Sequence, residues 1–343
     1  MRSANLKFAL AGLAVLTAST AAPAAEVTLT MSHFLGPKAP PHAAFLEPWA
    51  RRVEQQSKGR IKIEIFPAMS MGGKPPELYR QVRDGTADIV WTLTGYTPGV
   101  FPRSEVFELP GVHQASARAT TLAIQDNFKL IADDYKDIKP LLVHVNAGNA
   151  VHLVNGCLKS ADELKGKKLR TPSRTGAWMI ESWGAEPVAM PVPDVPQALS
   201  KGTIDGALIP FEIVPPLKVH ELTKCSVTGA ADGRFGTSVF LFAMNKKRYD
   251  SLPADLKAII DANAGAAVAP DAGKLWDEIE EPGKALVKKA GSTIAPLDAA
   301  ATSALAARAE TVVQRWIKEA TAAGLDGKAL VEAARASIAK HSK

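Results

Sequence analysis

Residues 166–172 read GKKLRTP and place an arginine at the end of a short strand-like run, just before Pro172-Ser173, where a helix can begin. A guanidinium is planar, permanently charged and offers two parallel N–H donors that match a carboxylate. The amides and dipole at a helix start favour an anion at the same address, and ligands of open α/β sheets collect beyond strand ends. Arg170 is therefore either a carboxylate anchor or half of a structural salt bridge, whereas Lys167 and Lys168 read as solvated surface charge. Catalytic chemistry has little support. Gly72-Gly73-Lys74 runs into prolines rather than forming a phosphate loop, and no G-x-S-x-G elbow, H-E-x-x-H or C-x-x-C occurs. The seven histidines are scattered without ligand spacing, so no catalytic residue, no metal and no cofactor is expected. An enzyme site assembled from distant residues stays open as an alternative of another class.

Arg2 and Lys7 precede an apolar run over residues 8–16, and Ala22-Pro23-Ala24 offers small residues for cleavage, the pattern of a secretory signal peptide over 1–24. Cleavage near Ala24 leaves a soluble exported chain, and no later stretch has the roughly 20 apolar residues of a membrane span. The formal charge of +6 becomes +4 once those two basic residues leave. Basic residues are interleaved with acids, as in Arg51-Arg52-Val53-Glu54 and Lys246-Lys247-Arg248-Tyr249-Asp250, so no nucleic-acid partner is expected. The two cysteines, Cys157 and Cys225, bound for an oxidising compartment, are expected to form a disulfide, with two separate buried thiols as the other possibility.

About 320 mature residues are enough for two cores. Residues 27–33 alternate as a strand, and Phe45, Trp49 and Val53 mark a helix stopped by Gly59. Residues 61–66 alternate strictly, a helix opens at Pro75-Pro76 and ends at Gly85, and 88–91 form an apolar, doubly buried strand. This is the opening of a doubly wound α/β unit. The device recurs: VRDGTADIV around Gly85 and LSKGTIDGALI around Gly202 are each a helix end, a Gly-Thr-x-Asp turn and an apolar strand. Two α/β lobes are expected. Residues 236–244 form a further strand that needs a partner sheet. Ala-rich helices follow over 254–289, interrupted at Pro270 and Pro282, and over 299–323, where Leu305, Val312 and Trp316 form a packing stripe.

Five segments in order, DIVWTLTGYTPGVFPRSEVFELPGV (88–112), ADELKGKKLRTP (161–172), WGAEPVAMP (183–191), ALSKGTIDGALIP (198–210) and MNKKRYDSLPADLKAIID (244–261), carry a family resemblance across essentially the whole mature chain. The chain resembles the periplasmic solute-binding subunits of TRAP (tripartite ATP-independent periplasmic) transporters, of the DctP type. The resemblance implies a two-lobed periplasmic-binding-protein (flytrap) fold, each lobe a mixed sheet flanked by helices, with a long kinked helix spanning both. It implies lobe I over 25–147 plus 236–275 and lobe II over 148–235 plus 276–343, with the C-terminal helices packing across both. It makes Arg170 the arginine that pairs with the ligand carboxylate. Its implied partners are a small organic acid and the small and large membrane permease subunits.

Departures from sialic-acid-binding relatives narrow the implied ligand. No arginine stands in Gly148-Asn149-Ala150-Val151-His152, Ile209 replaces an asparagine, and Leu93 replaces an acidic residue. Phe34, Trp91, Tyr96, Phe211 and Phe235 are apolar or aromatic wall candidates, each equally able to serve as core. His33, His152 and Glu212 are candidates to hydrogen-bond a keto, hydroxyl or ring-nitrogen group. The expected ligand is an aromatic or 2-oxo monocarboxylate; a C4-dicarboxylate or pyroglutamate-type ligand is the alternative within this class.

Overall fold

The computed structural model describes residues 25–342 apart from positions 115 and 159; the expected signal peptide lies outside the described residues. Two sheets organise the chain. The first contains β1 (Val27–His33), β2 (Ile61–Phe66), β3 (Ile89–Leu93) and β4 (Ile138–Val145). The second contains β5 (Ala150–Leu153), β6 (Lys168–Thr171), β7 (Glu186–Ala189), β8 (Gly206–Ile209) and β9 (Cys225–Thr228). β10 (Val239–Asn245) crosses back to the first sheet and β11 (Thr293–Pro296) joins the second. The strand orders are β2-β1-β3-β10-β4 and β11-β9-β5-β8-β6-β7. β1 runs parallel to β2 and β3, whereas β10 is antiparallel to β3 and β4. Each lobe is thus a mixed sheet between helices. β3 and β10 are buried at every position, as central strands covered on both faces must be.

The repeated Gly-Thr-x-Asp turn does the same work twice. Gly85 and Gly202 take φ of 84° and 65°, the left-handed conformation that ends a helix most cheaply on glycine. Asp88 then accepts the Thr30 backbone N–H at 2.9 Å, and Asp205 accepts that of Lys168 at 2.8 Å. In both lobes the aspartate stitches the entering strand to its neighbour. The second stitch registers β6, the strand that carries Arg170.

The helical region after β10 consists of Ala254–Ala262, Ala269–Glu278 and Glu280–Lys289. Pro270 opens the second of these. The break at Ile279 falls just ahead of Pro282, whose missing N–H and ring bulk disfavour a continuous helix through that turn. Ala269–Glu278 packs on β4 and on the helix Ala117–Asp126, while Glu280–Lys289 packs on β11 and on the turn Phe211–Ile213, so the kinked pair bridges the two sheets. Ala299–Ala322 lies along Arg174–Ser182, and Gly327–His341 lies along Ala117–Asp126. Leu305, Val312 and Trp316 of the long helix are buried, as their spacing predicts. Cys157 and Cys225 are joined by a disulfide that closes 68 residues of chain.

Candidate functional site

β6 ends at Thr171, and Ser173 caps the next helix by accepting the Gly176 N–H. Arg170 stands one residue before that strand end and is 2 % exposed. Its Nε donates to the Met190 carbonyl at 2.9 Å and Nη1 to the Leu208 carbonyl at 3.3 Å, while Nη2 lies 3.5 Å from the Tyr96 hydroxyl. These bonds fix the plane of the fork. Among the described residues no carboxylate lies within ion-pair distance of it. Asp194 acts only through space and is exposed. Burial accordingly draws the guanidinium pKa down, because a buried charge without a counter-ion is costly. The salt-bridge alternative therefore finds no acidic partner among the described residues.

Arg170 borders a cavity between the two sheets that encloses about 380 Å³ of atom-free space, part of it open solvent at the mouth, with about 30 Å³ of room for the centre of a water-sized sphere. Phe34 and Phe240 stack on Trp91, at centroid distances of 5.1 and 4.8 Å with interplanar angles of 16° and 12°. Tyr96 meets Phe34 edge-on at 5.5 Å. The indole of Trp91 is locked from behind, where Nε1 donates to His144 Nε2 at 3.0 Å. Burial holds the His144 pKa down at about 3, so its imidazole stays neutral and able to accept. The Tyr96 oxygen accepts the Val192 N–H at 2.8 Å, which leaves the phenolic proton free to donate toward a ligand. Leu93, Asn146, Asn149, Ile209, Glu212 and Ser238 are further parts of the wall.

Of the nine residues singled out from the sequence, Arg170, Phe34, Trp91, Tyr96 and Glu212 line this cavity. The other four lie elsewhere. His33 is fully buried, its Nε2 2.9 Å from His42 Nδ1 and its Nδ1 accepting the Leu35 N–H, with burial pulling its pKa to about 3. His152 donates from Nε2 to the Ile209 carbonyl and lies 2.8 Å from Ser226 Oγ, its pKa lowered by burial to about 4. Phe211 packs between the His152 ring and the Arg234 guanidinium. Phe235 packs edge-on against Trp183 and borders a different cavity beneath the helix Ala299–Ala322. Phe240, Asn146, Asn149 and Ser238 went unnoticed in the sequence. Phe240 reads as ordinary strand core, and the asparagines read as turn residues in NAGNA.

Residues from both sheets meet at the cavity mouth. Gly95, just past β3, presses on the start of the helix after β6: a Cβ there would stand 2.7 Å from Ser173 Cβ and 3.2 Å from the Pro172 carbonyl oxygen. Farther back, Arg174 forms a two-pronged pair with Glu105 at 2.7 and 2.6 Å. The buried Glu108, its pKa pushed up by burial to about 7, accepts from Val239 N–H and Thr175 Oγ1 and so ties β10 to the same helix. Gly95→Val is expected to leave each lobe folded and to obstruct their apposition. Overpacking costs of about 1–3 kcal/mol borne only by the closed form read as roughly 5- to 150-fold weaker ligand binding, measured by calorimetry. Unchanged affinity would remove this contact from closure.

Two α/β lobes, joined by several crossings, with an acid-free guanidinium between them, define a binding protein for an anionic solute. The chain matches the model of bacterial extracellular solute-binding protein, family 7 (DctP), over residues 31–319, and belongs to that family. It is 46% identical to a TRAP solute-binding protein of an unidentified marine microbe, described as specific for aromatic acid ligands and crystallised with 3-hydroxybenzoate. That match covers 93% of this chain and 100% of the other, with a TM-score of 0.90. It is 39% identical to a TRAP solute-binding protein from Rhodoferax ferrireducens T118 holding copurified benzoate, over 92% and 98% of the two chains, with a TM-score of 0.89. It is 26% identical to the C4-dicarboxylate-binding periplasmic protein DctP of Rhodobacter capsulatus, over 83% and 85%. The protein is a TRAP-type solute-binding protein rather than an enzyme. Such proteins bind small organic acids and work with membrane permease subunits. No helix of the described residues is long and apolar enough to cross a membrane.

Proposed function

We propose that this chain captures an aromatic monocarboxylate, pairs its carboxylate with Arg170 and Tyr96, and packs its ring against Phe34, Trp91 and Phe240. The observation that carries this reading is the buried Arg170 fork, held by two carbonyls and matched by no carboxylate, beside a three-ring stack. Charge balance supports one carboxylate rather than two. Arg234, a cation behind the cavity wall, is already paired with Glu280, and burial and Glu280 raise the pKa of Glu212 above the usual carboxylate range. Arg170 is the one cation among the described residues that line the cavity, so a second ligand carboxylate would meet no cation in that wall. Two similar proteins with aromatic acid ligands support the same class. Capture from the open form needs a ligand that favours the closed one by about 5.5 kcal/mol to swing the population from 1:99 to 99:1. One desolvated Arg–carboxylate pair and aromatic burial supply energy of that order. The finer assignments belong to the same proposal: a leader over 1–24 cleaved near Ala24, lobe I over 25–147 plus 236–275, and lobe II over 148–235 plus 276–343.

A thermal-shift screen of aromatic monocarboxylates, 2-oxo acids, C4-dicarboxylates and pyroglutamate tests this reading. A ligand at 100 times its Kd stabilises by about 2.7 kcal/mol. Aromatic monocarboxylates are expected to raise Tm most. A larger shift with a C4-dicarboxylate or pyroglutamate would transfer the assignment to that class, and no shift with any carboxylate would overturn it.

A further inference from the structure

We infer that Glu212 is a specificity residue that holds a hydroxyl carried by the bound acid, so that the ligand class is hydroxylated aromatic monocarboxylates. The inference rests on the carboxylate reading above and concerns the remaining polar part of the same cavity. Glu212 lies on the tight turn Phe211–Ile213 just beyond β8, lines the cavity and is 3 % exposed. Its carboxyl shares a side-chain hydrogen bond with the carboxyl of Glu280, and beyond that no N–H or O–H among the described residues donates to Oε2. A carboxyl in a wall of rings with acceptor capacity left over is a place where a polar group of the ligand belongs.

The turn is held rigidly. Gly283 brings the helix Glu280–Lys289 flush against it: a Cβ at that position would stand 2.3 Å from the Phe211 carbonyl oxygen and 3.2 Å from the Glu212 nitrogen. The Glu212 N–H donates to Glu280 Oε1 at 3.0 Å. Glu280 is itself 2 % exposed and lies 3.2 Å from Arg234 Nη2, with Asp232 and Lys284 paired behind. Arg234 is in contact with Glu280 and Asp232 and reaches Glu212 only through space. Burial, then the Glu280 charge and the side-chain hydrogen bond to Glu280, push the Glu212 carboxyl well above the usual range.

With its hydrogen bond directed at Glu280, Glu212 keeps acceptor lone pairs for the O–H of a ligand hydroxyl, and a proton shared by the pair lessens its repulsion of the ligand carboxylate. A methyl group of nearly the same size has no proton to donate. Sites built to hydrogen-bond a hydroxyl reject analogues that lack it, because the protein group is then left unpaired.

The test is calorimetric titration of the intact mature protein with benzoates carrying a hydroxyl or a methyl at ring positions 2, 3 and 4. For the wild type, the hydroxyl compound is expected to bind about tenfold more tightly than its methyl counterpart at one ring position at least. In Glu212→Leu that preference should disappear, and in Glu212→Gln, which keeps a donor and an acceptor, it should shrink less. Because the readout is a ratio within one protein, loss of overall affinity does not imitate it. Equal binding of hydroxyl and methyl compounds by the wild type at every position would overturn the inference while leaving the aromatic-acid reading intact. A preference that survives in Glu212→Leu would assign the hydroxyl to another group, and binding of none of the benzoates would overturn both.

Discussion

Arg170→Ala is expected to weaken binding of the carboxylate ligand by roughly 3 kcal/mol or more, over a hundredfold, because the ligand anion would be buried without its cation. The substitution also strips the Met190 and Leu208 carbonyls of their donors, at about 1–3 kcal/mol for each buried group left unpaired. Affinity must therefore be measured at a temperature where the free variant remains folded. Arg170→Lys separates charge from shape. An ammonium keeps the charge but cannot donate to Met190, Leu208 and a carboxylate in the planar pattern of the fork, and its affinity should fall between those of wild type and alanine variant. Wild-type affinity in the alanine variant would remove Arg170 from the site.

Reducing the disulfide is expected to cost roughly 4 kcal/mol of stability, the loop-entropy value for a closed loop of 68 residues. The bond joins the segment after β5 to the first residue of β9, strands already paired through Leu153 and Cys225. It reinforces the second sheet and neither cysteine lines the cavity. Urea unfolding of oxidised and reduced protein measures the difference. A gap under about 1 kcal/mol would show that the crosslink restrains little that the folded sheet does not already restrain. Ligand affinity of the reduced, still folded protein should stay near that of the oxidised form.

Much of the fold was legible because its signals are local. Gly85 and Gly202 end helices in the left-handed conformation that their positions suggested, and the doubly buried β3 read as an apolar run. The place of β10 between β3 and β4 was not visible in residues 236–244 themselves, since an apolar strand states that it is buried but not beside what; the family resemblance implied only that it returns to the first lobe. Arg170 stood out because chemistry and address coincide in one residue.

The site wall was harder to read because it depends on which way each side chain turns. His33 and Phe34 are neighbours, and successive residues of an extended chain face opposite sides. With Phe34 on the cavity, His33 is directed into the core, where His42 and the Leu35 N–H satisfy it. Glu212 and Phe211 divide in the same way, one toward the cavity and one onto Arg234. Asn149 and Ser238 come from segments far apart in sequence that β5 and β10 bring together, and no local pattern announces such a meeting.

The central claim is that a buried guanidinium selects an aromatic ring bearing a single carboxylate. Calorimetric titration of wild type and Arg170→Ala with benzoate and its uncharged amide, benzamide, tests it most directly. Wild type is predicted to bind benzoate over a hundredfold more tightly than benzamide, with the two nearly equal in the alanine variant. Benzamide binding to wild type within threefold of benzoate, or an undiminished preference for benzoate in the variant, would contradict it.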